Sequence, residues 1–141
     1  MGTFSGYYIE FKKNNSTWQF PLSKMKIQTL EIEPYKVMDL DPYYDATGLL
    51  HRNIVSHTSA VIKFNTPVMS EADMESLMTT LQSFYTDTKA RNCTIKYWDP
   101  EHCQYTGYES FYMAEPKFKP MFKNAKGVYM HDEVTLEFIK Y

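Results

Sequence analysis

The chain has 141 residues and a formal net charge of -2, from 15 Lys and Arg against 17 Asp and Glu. This length favours one domain able to bury roughly two thirds of its unfolded surface. The charge balance argues against nucleic-acid recognition through a general basic surface. Aromatics make up 16% of the residues, which suits the pleated, half-buried surface of sheets and also suits broad contact surfaces. No apolar stretch approaches the ~20 residues of a membrane helix. Met1 to Lys13 lacks the apolar core of a signal peptide. The Met1-Gly2 start makes no myristoylation motif, because Gly6 stands where Ser or Thr is required. The Asn14, Asn15 and Asn92 triplets are read as chance glycosylation matches.

Thr3 to Lys12, rich in β-favouring Phe4, Tyr7, Tyr8, Ile9 and Phe11, reads as a strand. Lys13-Asn14-Asn15-Ser16 is a turn cluster, and Thr17 to Phe20 is a short return strand cut by Pro21. Lys24 to Met38 is the next strand region. Its alternation breaks between Ile27 and Leu30, which predicts a bulge, and Pro34 places it at an edge or a kink. Asp39 to Gly48 is a polar loop with Asp39, Asp41, Tyr43, Tyr44, Asp45 and Gly48. Leu50 to Thr66 reads as one long strand. Ala60, Ile62 and Phe64 give it a core face, while His51 to Ser59 is polar enough to project as an arm.

Ser70 to Tyr85 is predicted as a helix. Ser70 is the N-cap and Asp73 its capping-box partner, with Met74, Leu77, Met78, Leu81, Phe84 and Tyr85 on one stripe. Cys93 to Trp98 and Cys103 to Met113 form a hairpin over a type I turn, Asp99-Pro100-Glu101-His102. This register pairs Trp98 with Cys103 and Cys93 with Tyr108. The two thiols then lie beyond disulfide reach and read as free cysteines of a reducing compartment. Glu115 to Asn124 should be an ordered loop that buries Phe118, Met121 and Phe122. Lys117, Lys119, Lys123 and Lys126 make a basic cluster there, read as a solvated loop. Val128 to Tyr141 is a last strand or strand pair, with Val134, Leu136, Phe138 and Lys140 on one face and a hairpin turn at Asp132-Glu133.

Sites for chemistry are sparse. Adjacent strand residues face opposite ways, so His102 and Cys103 do not converge, and His51 and His57 stand ~20 Å apart along an extended strand. The His and Cys residues lack the paired spacing of a zinc site. Asp39, Asp41 and Asp45 imitate the start of a calcium loop, but Leu50 occupies the position of the bidentate Glu. No phosphate loop or nucleophile elbow is present. The expectation is therefore no enzyme, no metal and no cofactor.

The order of segments resembles a family of short, mostly uncharacterised proteins encoded among the tail genes of phages and prophages. The resemblance rests on Asp45, Gly48 and Arg52 before a long strand and on the run Tyr97-Trp98-Asp99-Pro100. It continues through Thr106-Gly107, Phe111-Tyr112, Pro120-Met121-Phe122 and Phe138. It covers roughly Ile27 to Tyr141. The chain departs from it with Tyr129 where a Trp is expected and with a longer N-terminal hairpin.

The resemblance implies a mainly β fold with one α-helix, a tail-tube-like β-sandwich or flattened barrel. Here that fold would be a single domain over 1–141 with a loop and arm over 39–59. It also implies a structural subunit of a phage tail tube, distal tail or neck ring, made in the bacterial cytoplasm and carried in the virion. Such a subunit would form hexameric, stacked rings with itself, contact other tail proteins, and meet DNA only as passing cargo. Asp39, Asp41, Tyr43, Tyr44, Asp45, Gly48, Leu50, His51, Arg52 and His57 would make the assembly loop and arm. A monomeric β-barrel that binds a small ligand or a partner protein is the alternative.

Overall fold

The computed structural model describes residues 3–36, 43–44, 46–48, 50–51 and 59–140. β1 (Ile9–Lys13) and β2 (Ser16–Gln19) form a tight hairpin, turned by Asn14 at φ 56. A single 3-10 turn (Leu22–Lys24) leads into β3 (Lys26–Lys36). β4 (Tyr43–Tyr44) and β5 (Leu50–His51) pair with each other. β6 (Ser59–Asn65) and β7 (Met69–Ser70) precede the helix α1 (Glu71–Ser83). Then come β8 (Asn92–Asp99), β9 (Gln104–Tyr105) and β10 (Glu109–Met113). β11 (Phe122–Lys123), β12 (Tyr129–His131) and β13 (Thr135–Lys140) complete the described elements.

The main sheet runs β2-β1-β8-β10-β13-β6-β3, with β9 added to β8 and every pair antiparallel. β2 and β3 lie at opposite ends of this order, yet only the segment Phe20 to Met25 joins them. Six residues reach at most ~20 Å, so the two ends of the sheet must curl toward each other. Two contacts confirm the curl. The Tyr97 hydroxyl on β8 donates to the carbonyl of Pro34 on β3 at 3.3 Å, and the Phe20 ring sits 5.0 Å from Phe64. The fold is mainly β with one helix, a curled antiparallel sheet of the flattened-barrel kind.

Strand alternation fills the interior. Cys93, Ile95 and Tyr97 on β8, Phe111 and Met113 on β10, Leu136 and Phe138 on β13, and Ala60, Ile62 and Phe64 on β6 are all buried. The helix covers this core with Met74, Leu77 and Leu81. It starts where its sequence dictates, with the Ser70 hydroxyl accepting from the Asp73 amide and Glu71 and Asp73 in the first turn.

Several expectations are met. β3 is an edge strand, and its register against β6 shifts between Lys26 and Glu31 as the broken alternation predicts. Both cysteines are free: Cys103 is exposed, whereas burial pushes the Cys93 thiol up to about 12.

Others are corrected. Thr3 to Tyr8 is not strand, because Gly6 turns at φ 89 and breaks the extended path. The β8–β9 hairpin pairs Asp99 with Gln104 and Trp98 with Tyr105, so the loop is Pro100 to Cys103. Asp99 holds that loop as its Oδ1 accepts from the Glu101 and His102 amides, and Cys103 adopts φ 51. An extra residue then enters near Thr106, whose hydroxyl accepts from the Tyr97 amide, and Cys93 pairs with Phe111 rather than Tyr108. β12 and β13 are not a hairpin: β12 joins β11 and β7 in a small second sheet, while β13 enters the main sheet. Asp132-Glu133 therefore crosses between sheets, and the segment is fastened by Thr66, which bonds Val134 in both directions at 2.8 and 3.1 Å. Leu50–His51 folds back on β4; residues 52–58 lie outside the described residues.

Candidate assembly surface

The residues named from sequence for the assembly loop divide in two. Tyr43 pairs with His51 and Tyr44 with Leu50, and Gly48 at φ 87 lies in the exposed turn between the two strands. This hairpin is a two-stranded sheet of its own. Asp39, Asp41, Asp45, Arg52 and His57 lie outside the described residues.

Sequence reasoning placed Phe118, Met121 and Phe122 inside. They are instead 52%, 41% and 45% exposed, and Val128 and Tyr129 across the hairpin are 45% and 50% exposed. The reason is the layering. β7 and β12 face α1, and β11 extends this small sheet outward as its edge. The β11–β12 hairpin is nevertheless well formed. The Asn124 side-chain oxygen accepts from the Lys126 and Val128 amides at 2.9 and 3.0 Å, and Gly127 supplies φ 79. Lys123 lies over the Tyr129 ring, 5.1 Å from its centre. The segment thus holds its apolar side chains in water on an ordered turn, with Phe118 apart from the hairpin beside Met78, Tyr85 and Met113.

The main sheet presents an edge of its own at β3. Among the described residues β3 pairs only with β6. Along that edge Glu31 and Glu33 are exposed, and Ile27 and the preceding Leu22 are 43% and 39% exposed. Open edges invite pairing with another chain. Between β6, β13 and the loop after β10 runs a groove of about 480 Å³, lined by charged side chains including Lys63, Lys117, Glu133 and Glu137.

A polar cluster on the outer face stiffens the other end of the main sheet. Glu10 and Lys96 are direct cross-strand partners on β1 and β8, and their charges meet at 3.1 Å. The Tyr108 hydroxyl donates to Glu10 at 2.6 Å. Burial works to raise the Glu10 carboxyl, but the bonds from Tyr108 and Lys96 and the Lys96 charge outweigh it and hold it below the usual carboxylate range. A hydrogen bond with Tyr7 and the pairing with Glu10 hold Lys96 above its ordinary range. Burial and the bond to Glu10 push Tyr108 up to about 12. Next to this cluster the Tyr105 hydroxyl accepts from the Ser5 amide and donates to the Tyr7 carbonyl, pinning the N-terminal segment over β8 and β9. Sequence reasoning did not find this cluster, because no local motif reports the β1–β8 register.

Asp99, Glu101 and His102 place ligand atoms within 4.8 Å of one another. The Asp99 oxygens already accept from two amides and contact His102 Nδ1 at 2.9 Å. The trio thus serves as a cap for the β8–β9 turn.

No curated protein matches the chain. Among solved structures, it is similar to a chain of "Tail of empty GTA particle computed with helical refinement, C6 symmetry". The TM-score is 0.53 at 12% identity, covering 100% of this chain and 95% of that one. That likeness shows a shared fold. The model of the family of unknown function DUF6711 matches residues 1–141, and the chain belongs to that family.

Proposed function

We propose that the protein is a structural subunit of a phage tail or tail-like particle, at the tube, the distal end or the neck. It would assemble into a hexameric ring through contacts between sheets of neighbouring subunits. The observation that carries this reading is the end-to-end fold likeness to a chain of a C6-symmetric particle tail. Two surface features support it: a β3 edge with no strand partner but β6 among the described residues, and an ordered apolar hairpin that a lone subunit leaves in water. A heterologous contact repeated around a ring closes such surfaces without leaving a free end. In this reading the loop and arm over 39–59 touch the next subunit or ring, other tail proteins cap the stack, and DNA passes as cargo if the ring is part of a tube. The subunit is then carried in the virion.

The alternative is a monomeric barrel that binds a small ligand or a partner protein, and a ligand in its interior is the less well supported form of it. The described interior is filled by Phe11, Phe64, Phe111 and Phe138, each fully buried.

Size-exclusion chromatography with light scattering tests the proposal, followed by electron microscopy of any large species. Closed six-fold rings or concentration-dependent filaments are expected. A strict monomer at all concentrations overturns the ring. Deleting 41–57 is expected to leave the fold in place and abolish assembly; a deleted chain that assembles normally overturns the role of the arm.

A further inference from the structure

We propose that the β11–β12 hairpin of one copy docks on the β3 edge of a second copy, basic and apolar surface against acidic and apolar surface. This rests on the ring reading and names the two faces that would meet in it.

The hairpin side offers Met121, Phe122, Val128 and Tyr129 to solvent, together with Lys123 and Lys126. Neither lysine has an ion-pair partner among the described residues; Lys123 rests on the Tyr129 ring. The other side is the free edge of β3, with Leu22 and Ile27 exposed and Glu31 and Glu33 exposed beyond them. Glu33 lies opposite Val61 and has no ion-pair partner among the described residues. Glu31 shares its one cross-strand lysine, Lys63, with Glu137. The Glu31–Glu33 stretch of β3 is therefore left with excess negative charge, between Lys26, which pairs with Glu133, and Lys36 at the strand's end, and the hairpin with excess positive charge.

Each surface is an open strand edge flanked by apolar side chains. Among the described residues β11 pairs only with β12, and β3 only with β6. Like charges would oppose hairpin-to-hairpin or β3-to-β3 pairing. Opposite charges favour the unlike pair, which is the head-to-tail contact a ring requires. The Asn124 turn and the Gly127 backbone preorganise the hairpin, so little ordering cost attends docking.

The experiment uses the full chain, mixed from isotopically light and heavy preparations. Treatment with a zero-length carbodiimide is expected to give light–heavy crosslinks joining Lys123 or Lys126 to Glu31 or Glu33. Lys123→Glu with Lys126→Glu should reduce assembly at least tenfold in concentration terms, and so should Glu31→Lys with Glu33→Lys. The chain carrying all four changes should assemble again, because the charges are exchanged rather than lost. Thermal melts of each variant check folding. Glu33→Lys alone keeps the test open if Glu31→Lys disturbs Lys63.

Crosslinks confined to other pairs, or double variants that assemble like the parent, overturn this contact while leaving the ring intact. A closed pair of copies with the same charge sensitivity supports the contact and overturns the ring. A parent chain that stays monomeric at every concentration overturns both.

Discussion

Phe111 and Phe138, on neighbouring strands of the main sheet, are fully buried, whereas Phe118 and Phe122 keep 52% and 45% of their surface in water. Residue type does not separate the two pairs; layering does. The main sheet curls around its inner face and is closed by α1, so the inward positions of β8, β10, β13 and β6 find partners. Phe138 lies 5.4 Å from Phe11 and 6.4 Å from Phe64. The small sheet has β7 and β12 against the helix, and its edge strand β11 runs past that cover. Aromatic content in the interior serves the fold of one chain, and in the hairpin it is available to another chain.

The sharpest way to break this contrast is to truncate one ring in each region. Phe138→Ala should cost ~3–5 kcal/mol in urea melts. If Phe122→Ala costs as much in the isolated subunit, the hairpin belongs to the fold and the contrast fails. Leu81→Ala, under the helix, should cost ~2–5 kcal/mol. A smaller loss would show that α1 covers the core only loosely.

Glu10→Gln extends the comparison to the polar outer face and should cost ~1–3 kcal/mol near neutral pH. The folded Glu10 carboxyl lies below its unfolded value. Its contribution is present above the unfolded value and is lost as pH falls through the folded one. Parent and Glu10→Gln stabilities should therefore converge in acid, and a constant gap across the titration would refute the linkage. Ser70→Ala removes the bond to the Asp73 amide and should cost ~1 kcal/mol. The smallest effect is expected from Phe122→Ala, within ~0.5 kcal/mol for the subunit alone, although the same change should weaken assembly visibly in light scattering.

Much of the main sheet could be read from sequence because its signals are local. The Ala60-Ile62-Phe64 alternation, the Ser70 cap with Asp73 and the broken period at Ile27 each report backbone geometry within a few residues. The β8–β9 register failed by two residues, since Asp99 stays in the strand while capping the loop and Cys103 takes a left-handed conformation that few cysteines adopt. The candidate surface was least legible. That Phe118, Met121 and Phe122 stay outside depends on which elements stack over β11, a long-range fact without a local pattern. The Glu10–Lys96 pairing likewise exists only through a register between residues far apart in the chain.

The position of β13 has a consequence for biosynthesis. It lies between β10 and β6, and among the described strands it alone pairs with both the half-sheet β2-β1-β8-β10 and the half-sheet β6-β3. A growing polypeptide that has not yet emerged past Thr135–Lys140 holds two half-sheets with no strand to bridge them. The main sheet is not continuous until then, so synthesis of this strand is the step that completes the wall around the core.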